Sequence, residues 1–229
     1  MPRPTPPSRK PPYGRPLPPA AIAVGAAVLI LLAIWMLRGD SYSDVKNLDS
    51  RGTAVIAFGD SLTAGYGASE GEDYPSRLSA RVGVPILNAG VSGDTTDGAL
   101  GRIDRDVLSR DPRLVIVGLG GNDFLRGVSL ASTEANLRSI VQSIHGAGAM
   151  VVLLGFEFPS LSADYGAMYE RVAEEEGALL VQGSLKGILT KPDLRSDAIH
   201  PNARGYEVMA ERIADPVEGL LEAAGETVN

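Results

Sequence analysis

From Thr53 onward the chain alternates short, β-branched apolar runs with longer amphipathic stretches, and this alternation narrows the possible folds more than any other feature. Apolar runs of five or six residues read as strands buried on both faces. Such strands belong to parallel sheets that helices cover on either side. The strands are expected at Thr53–Phe58, Pro85–Ala89, Leu114–Leu119, Met150–Gly155 and Ala178–Gln182. Helical patterns lie between them at about Tyr74–Val82, Thr96–Ser109, Thr133–His145 and Asp164–Glu176, and a last helix begins near Pro201. The order implies a three-layer α/β/α sandwich. Ligands in such sheets bind beyond the carboxyl ends of the strands, so chemistry is expected just after Phe58, Ala89, Leu119 and Gly155.

The segment before Thr53 has a different character. Residues 1–19 hold nine of the sixteen prolines, too few apolar residues to pack, and four cations, Arg3, Arg9, Lys10 and Arg15. They read as a disordered basic tail. Ala20 to Leu37 follow as eighteen residues without a charge, near the lower limit for a helix crossing the hydrocarbon core. The expectation is a transmembrane anchor over 20–38, a linker over 39–52 and one catalytic domain over 53–225. A cleaved signal peptide is the rival, although no small-x-small site follows the apolar run. The cations ahead of the span put the N-terminus in the cytoplasm and the domain outside, in a periplasm or its equivalent.

Composition excludes some chemistry. There is no cysteine, hence no disulfide, thiolate metal site or Cys nucleophile. The net charge is −7, and setting aside the four cations of the tail leaves −11 on the remainder, which argues against a nucleic-acid partner. Two histidines lie far apart with no cluster of further ligands, so no catalytic metal is implied.

Ser61 stands in Gly59-Asp60-Ser61-Leu62, at a strand-to-helix turn that exposes a hydroxyl. A serine needs a positioned base to become a nucleophile. His145 ends a helix beside glycines and reads as a capping residue. His200, in Asp197-Ala198-Ile199-His200-Pro201-Asn202, has a carboxylate three residues before it; the plain alternative is a helix N-terminus capped by Asp197 or Asn202. Two glycine-containing loops, Asn88–Thr96 and Gly120–Asp123, offer backbone and side-chain N–H groups for an oxyanion, or else are βα connections in which Asp94 and Asp123 cap helices.

Together, GDSLTAGYG, NAGVSGDTT, GLGGNDFLRG and DAIHPNARGY resemble the four blocks of SGNH (GDSL) hydrolases, in order, over Thr53 to about Ile213. The wording is most similar to the bacterial thioesterase/lysophospholipase and arylesterase branch. The resemblance implies a flavodoxin-like parallel sheet and a serine ester hydrolase without cofactor. It implies Ser61 as nucleophile, His200 as base and then acid, and Asp197 as its orienter. The oxyanion hole would combine the Ser61 and Gly93 backbone N–H groups with the Asn122 side chain.

The substrate is less legible. Phe156 and Phe158, after the fourth strand, either line an acyl groove or lie in the core. The acidic body and an extracytoplasmic site disfavour acyl-CoA. A small-molecule or lipid ester within reach of a membrane is the leading expectation. Removal of O-acetyl groups from envelope polysaccharide is a second, and a non-catalytic tethered binding protein a third.

Overall fold

Alternate side chains of a strand point to opposite faces, so a run apolar at every position needs cover on both sides. The computed structural model, which describes Met1 and residues 42–156 and 163–225, supplies that cover. Strands β1 (Ala54–Gly59), β2 (Ile86–Gly90), β3 (Pro112–Gly118), β4 (Met150–Gly155) and β5 (Leu179–Gln182) form one parallel sheet in the order β2-β1-β3-β4-β5. Along β1, Val55 and Ala57 enter one core while Ile56 and Phe58 enter the other. In β3, Leu114 and Ile116 oppose Val115 and Val117 in the same way. Burying each large aliphatic chain stabilises by roughly 1.5–3 kcal/mol, so both faces are strongly specified.

The helices, in chain order, are α1 (Ser61–Ala64), α2 (Tyr74–Val82), α3 (Thr96–Leu100), α4 (Ile103–Asp106), α5 (Gly121–Leu125), α6 (Leu130–Gly146), α7 (Ala163–Glu176) and α8 (Ala203–Ala223). Helices α2 and α8 cover one face, and α3, α6 and α7 the other. Caps fix several starts: Asp73 accepts from Ser76 N at α2, Ser129 from Ser132 N at α6, and Asn202 from Gly205 N at α8.

The single helix expected over Thr96–Ser109 is instead α3, α4 and a 3₁₀ turn at Leu108–Arg110. Gly98 and Gly101 lower helix propensity, and Arg102 turns inward. The expected linker also changes character at its distal end, because Tyr42–Ser50 is folded against the body. Val45 is 7% exposed in the α2/α8 core. Lys46 N donates to Gly177 O at 2.9 Å, and Asn47 Nδ2 donates to His145 O and Ala149 O, each at 3.0 Å. These carbonyls precede β5 and β4, so the chain enters at the amino edge of the sheet. The apolar segment 20–37 lies outside the described residues; among those described, no helix is long and apolar enough to cross a membrane.

Candidate active site

Strand β1 ends at Gly59, and the chain turns at once into α1, which starts with Ser61. The turn is held by Asp60, whose Oδ1 accepts from Leu62 N at 3.0 Å. Close approach by β2 confines it from the other side. A Cβ on Gly90 would lie 2.2 Å from Ala64 N, so only glycine fits there.

His200 reaches Ser61 from the loop before α8. Ser61 Oγ is 2.9 Å from His200 Nε2, and His200 Nδ1 is 2.8 Å from Asp197 Oδ2. The ends of this line differ in exposure: the His200 side chain is 13% exposed and that of Asp197 43%. Asp197 Oδ1 also accepts from Ile199 N and His200 N, at 2.8 and 2.9 Å. Burial raises the Asp197 carboxyl, but these backbone bonds and the imidazole outweigh it and hold the group below its ordinary value. A carboxylate only accepts, so Nδ1 carries the ring hydrogen and neutral Nε2 is left to accept from the serine hydroxyl. Asn202, not Asp197, caps α8. The Tyr66 ring lies 4.4 Å from the imidazole, and Tyr206 Oη donates to Tyr66 O at 2.8 Å, which ties α8 to the serine loop.

The two glycine loops close around the same corner. Asp94 N donates to Val91 O, and Gly93 sits at φ 79°, the left-handed position such a turn needs. Asp94 does not cap α3; Thr95 does, and Asp94 Oδ2 pairs with Arg102 Nε at 2.7 Å. Asp123, fully buried, accepts from Thr96 N and Thr96 Oγ1 and so binds the third-strand loop to the second. Asn122 Nδ2 donates to Asp60 Oδ2 at 3.0 Å.

The sequence pattern did not single out Asp60, Arg102 or Arg126. Arg102, 8% exposed, donates to Gly59 O and Ala89 O, the last carbonyls of β1 and the penultimate of β2, and stacks 4.3 Å over Phe58. Arg126 Nη2 donates to Gly93 O at 2.6 Å. The available signal was the pair of glycines flanking Ala99 and Leu100, which breaks the helix and frees Arg102 to turn inward. Of the phenylalanines after β4, Phe156 is 1% exposed in the α2/α8 core and borders a cavity of about 230 Å³ with Tyr169, Glu170 and Gln182. Phe158 lies outside the described residues. Among the described residues no group of three or more His, Cys, Asp or Glu is placed to hold a metal ion.

A hydroxyl, an imidazole and a carboxylate in line, with amide donors at the same corner of an α/β sheet, equip a protein for serine-dependent acyl transfer. Residues 57–208 match the GDSL-like lipase/acylhydrolase family, and the chain belongs to it. It is therefore a carboxylic ester hydrolase on the SGNH fold. The chain is 33% identical over 178 residues to thioesterase 1/protease 1/lysophospholipase L1 of Escherichia coli (strain K12), covering 73% of this chain and 84% of that protein. It is 31% identical over 171 residues to an arylesterase of Vibrio mimicus, covering 70% and 86%. Among solved structures, TesA superposes with a TM-score of 0.70 at 30% identity over 73% of this chain and 99% of that one.

Proposed function

We propose that Ser61, His200 and Asp197 form the catalytic triad of an esterase that works through an acyl-enzyme. The observation that carries this reading is the unbroken line from Asp197 through both nitrogens of His200 to the Ser61 hydroxyl. Ser61 Oγ attacks the ester carbonyl as Nε2 takes its proton. The imidazolium then gives that proton to the departing alcohol or thiol. Water, activated by the same nitrogen, attacks the acyl-enzyme, and its proton returns to Ser61 as the acid is released. The Ser61 and Gly93 N–H groups and the Asn122 amide stabilise the oxyanion in both steps. Ser61→Ala is expected to keep the fold, lose ester hydrolysis and lose labelling by a fluorophosphonate probe; labelling that persists in the variant overturns the assignment.

The preferred substrates are apolar acyl esters of short or medium chain, including lysophospholipids, in keeping with the activity named for the Escherichia coli relative. Tyr66, Val91 and Ile199 in the site loops and Leu125 at the end of α5 carry exposed apolar side chains suited to an acyl chain. The uncharged run Ala20–Leu37 acts as a retained anchor, with the catalytic body extracytoplasmic. Resistance to carbonate extraction tests the anchor, and a mature N-terminus between Leu37 and Asp44 refutes it.

A second reading, removal of acyl groups from an envelope polymer, is favoured by one feature. The chain enters the body at the amino edge, whereas Ser61 opens on the carboxyl edge. Hydrolysis rates on p-nitrophenyl acyl esters of increasing length, set against acetylated glycan, separate the two.

A further inference from the structure

Asp60 is 2% exposed, yet it is a carboxylate, and no Lys or Arg pairs with it among the described residues. Burying an unpaired charge is costly. Burial pushes the group up to about 7, with Asp94 and Asp123 adding to the rise and the bonds from Leu62 N and Asn122 opposing it. A group retained at this cost next to the nucleophile calls for a role that a smaller or neutral side chain cannot fill.

The geometry supplies one. Oδ1 accepts from Leu62 N and Oδ2 from Asn122 Nδ2, both at 3.0 Å. A primary amide has two hydrogens on one nitrogen and an acceptor on the other side. With one hydrogen held by Asp60, the second lies in the same plane about 120° away. Swapping the two ends of the Asn122 amide would set its oxygen against an oxygen of Asp60, two acceptors facing each other. Above about pH 7, where Asp60 is ionised and only accepts, it therefore permits one of the two amide orientations. We infer that Asp60 is the positioning residue of the oxyanion hole, fixing the Asn122 amide so that its free N–H points to the developing charge. This rests on Asn122 being an oxyanion donor, as proposed above.

Only a side chain accepting on both oxygens satisfies Leu62 N–H and Asn122 N–H together. An asparagine at 60 would accept from Leu62 and turn its own NH₂ toward Asn122. Asn122 would then rotate its oxygen to meet that donor, and the free N–H would leave the hole.

The test is a double-mutant cycle on the full chain with a p-nitrophenyl ester. Asp60→Asn, nearly the same shape, is expected to lower kcat by about 10²–10³ with KM within about twofold, as deletion of the oxyanion donor itself does. In an Asn122→Ala background, Asp60→Asn is expected to cost less than about threefold more, because its target is gone. Full multiplication of the two losses would mean that Asp60 acts through Leu62 and the serine turn, and would overturn the proposal. A kcat unchanged in Asp60→Asn but lowered in Asn122→Ala also overturns it, whereas no effect in Asn122→Ala refutes the oxyanion reading instead. A second measurement needs no variant at position 60. The Asn122 side-chain ¹⁵NH₂ signal of the wild type, assigned by its loss in Asn122→Ala, is expected to show one slowly exchanging hydrogen. Two hydrogens exchanging as fast as those of an exposed asparagine would contradict the fixed orientation.

Discussion

At the carboxyl edge of the sheet His200 has both ring nitrogens engaged, Nε2 at 2.9 Å from Ser61 Oγ and Nδ1 at 2.8 Å from Asp197 Oδ2. At the amino edge His145 is half-buried at the end of α6, and neither of its nitrogens has a hydrogen-bond partner among the described residues. The two regions contain the same side chain under opposite constraints. A partner carboxylate sets the tautomer of His200 and leaves Nε2 facing the Ser61 hydroxyl. Burial and the nearby Lys46 both resist protonation of His145, outweighing the opposite pull of Glu176. Reactivity therefore follows from what faces the ring.

The sharpest break in this comparison is a pair of substitutions. His200→Ala is expected to lower kcat by about 10⁴–10⁶, the range found when a triad base is removed. His145→Ala, assayed at pH 8, is expected to leave kcat and KM within about twofold. Equal losses at the two positions would mean that the base has been misassigned.

A smaller effect is expected one step from the base. In the proposed mechanism Asn122 donates to an oxygen that carries full charge only after attack, so its contribution would grow between ground state and transition state. Asn122→Ala is expected to lower kcat by about 10²–10³ with KM little changed. Asn122→Asp should be at least as damaging, because it faces the oxyanion with a like charge. A loss confined to KM, or activity falling only in step with melting temperature, would make Asn122 a loop-structuring residue.

The distance along the chain between partners explains which parts of the site the sequence could reveal. Asp197 and His200 lie in one turn, three residues apart, so their pairing was visible as a motif. The inner strands β1, β3 and β4 were visible because burial on both faces makes them apolar at nearly every position, whereas β2 and β5, at the edges of the sheet, are only partly buried. Asp60 meets Asn122 across 62 residues, Arg102 meets Gly59 across 43, and Arg126 meets Gly93 across 33. No local periodicity encodes such pairs. Only the folded sheet, which brings the carbonyls of β1 and β2 beside Arg102, gives it a reason to turn inward. The packing of Tyr42–Ser50 was hidden likewise, since its acceptors lie at His145, Ala149 and Gly177.

The smallest effect concerns the amino edge alone and appears in stability. Burial, with Lys46 adding to it, lowers the His145 ring from 6.5 to about 4. Between those values the unfolded chain binds a proton that the folded chain refuses, so stability falls as pH drops from about 6.5 toward 4 and is unaffected above 6.5. The half-buried ring is partly screened by water, which limits the loss to roughly 1–2 kcal/mol. Asp60, raised from 3.8 to about 7, works in the other direction: the folded chain holds its proton, so that contribution declines as pH rises from 3.8 to 7. The two slopes overlap, and wild-type stability alone does not separate them. His145→Leu does, because it removes one titration, leaves Asp60 in place and relieves two buried nitrogens of their missing partners. Urea unfolding at a series of pH values from 4 to 8 is expected to show wild type losing stability relative to His145→Leu as the medium becomes acid, with a constant difference above pH 7. Asn47 bridges His145 O and Ala149 O, so protonation of the ring beside Lys46 should loosen the Tyr42–Ser50 segment first, and amide exchange there should quicken in wild type only. A stability difference that does not change with pH would place the acid sensitivity elsewhere and leave His145 as packing.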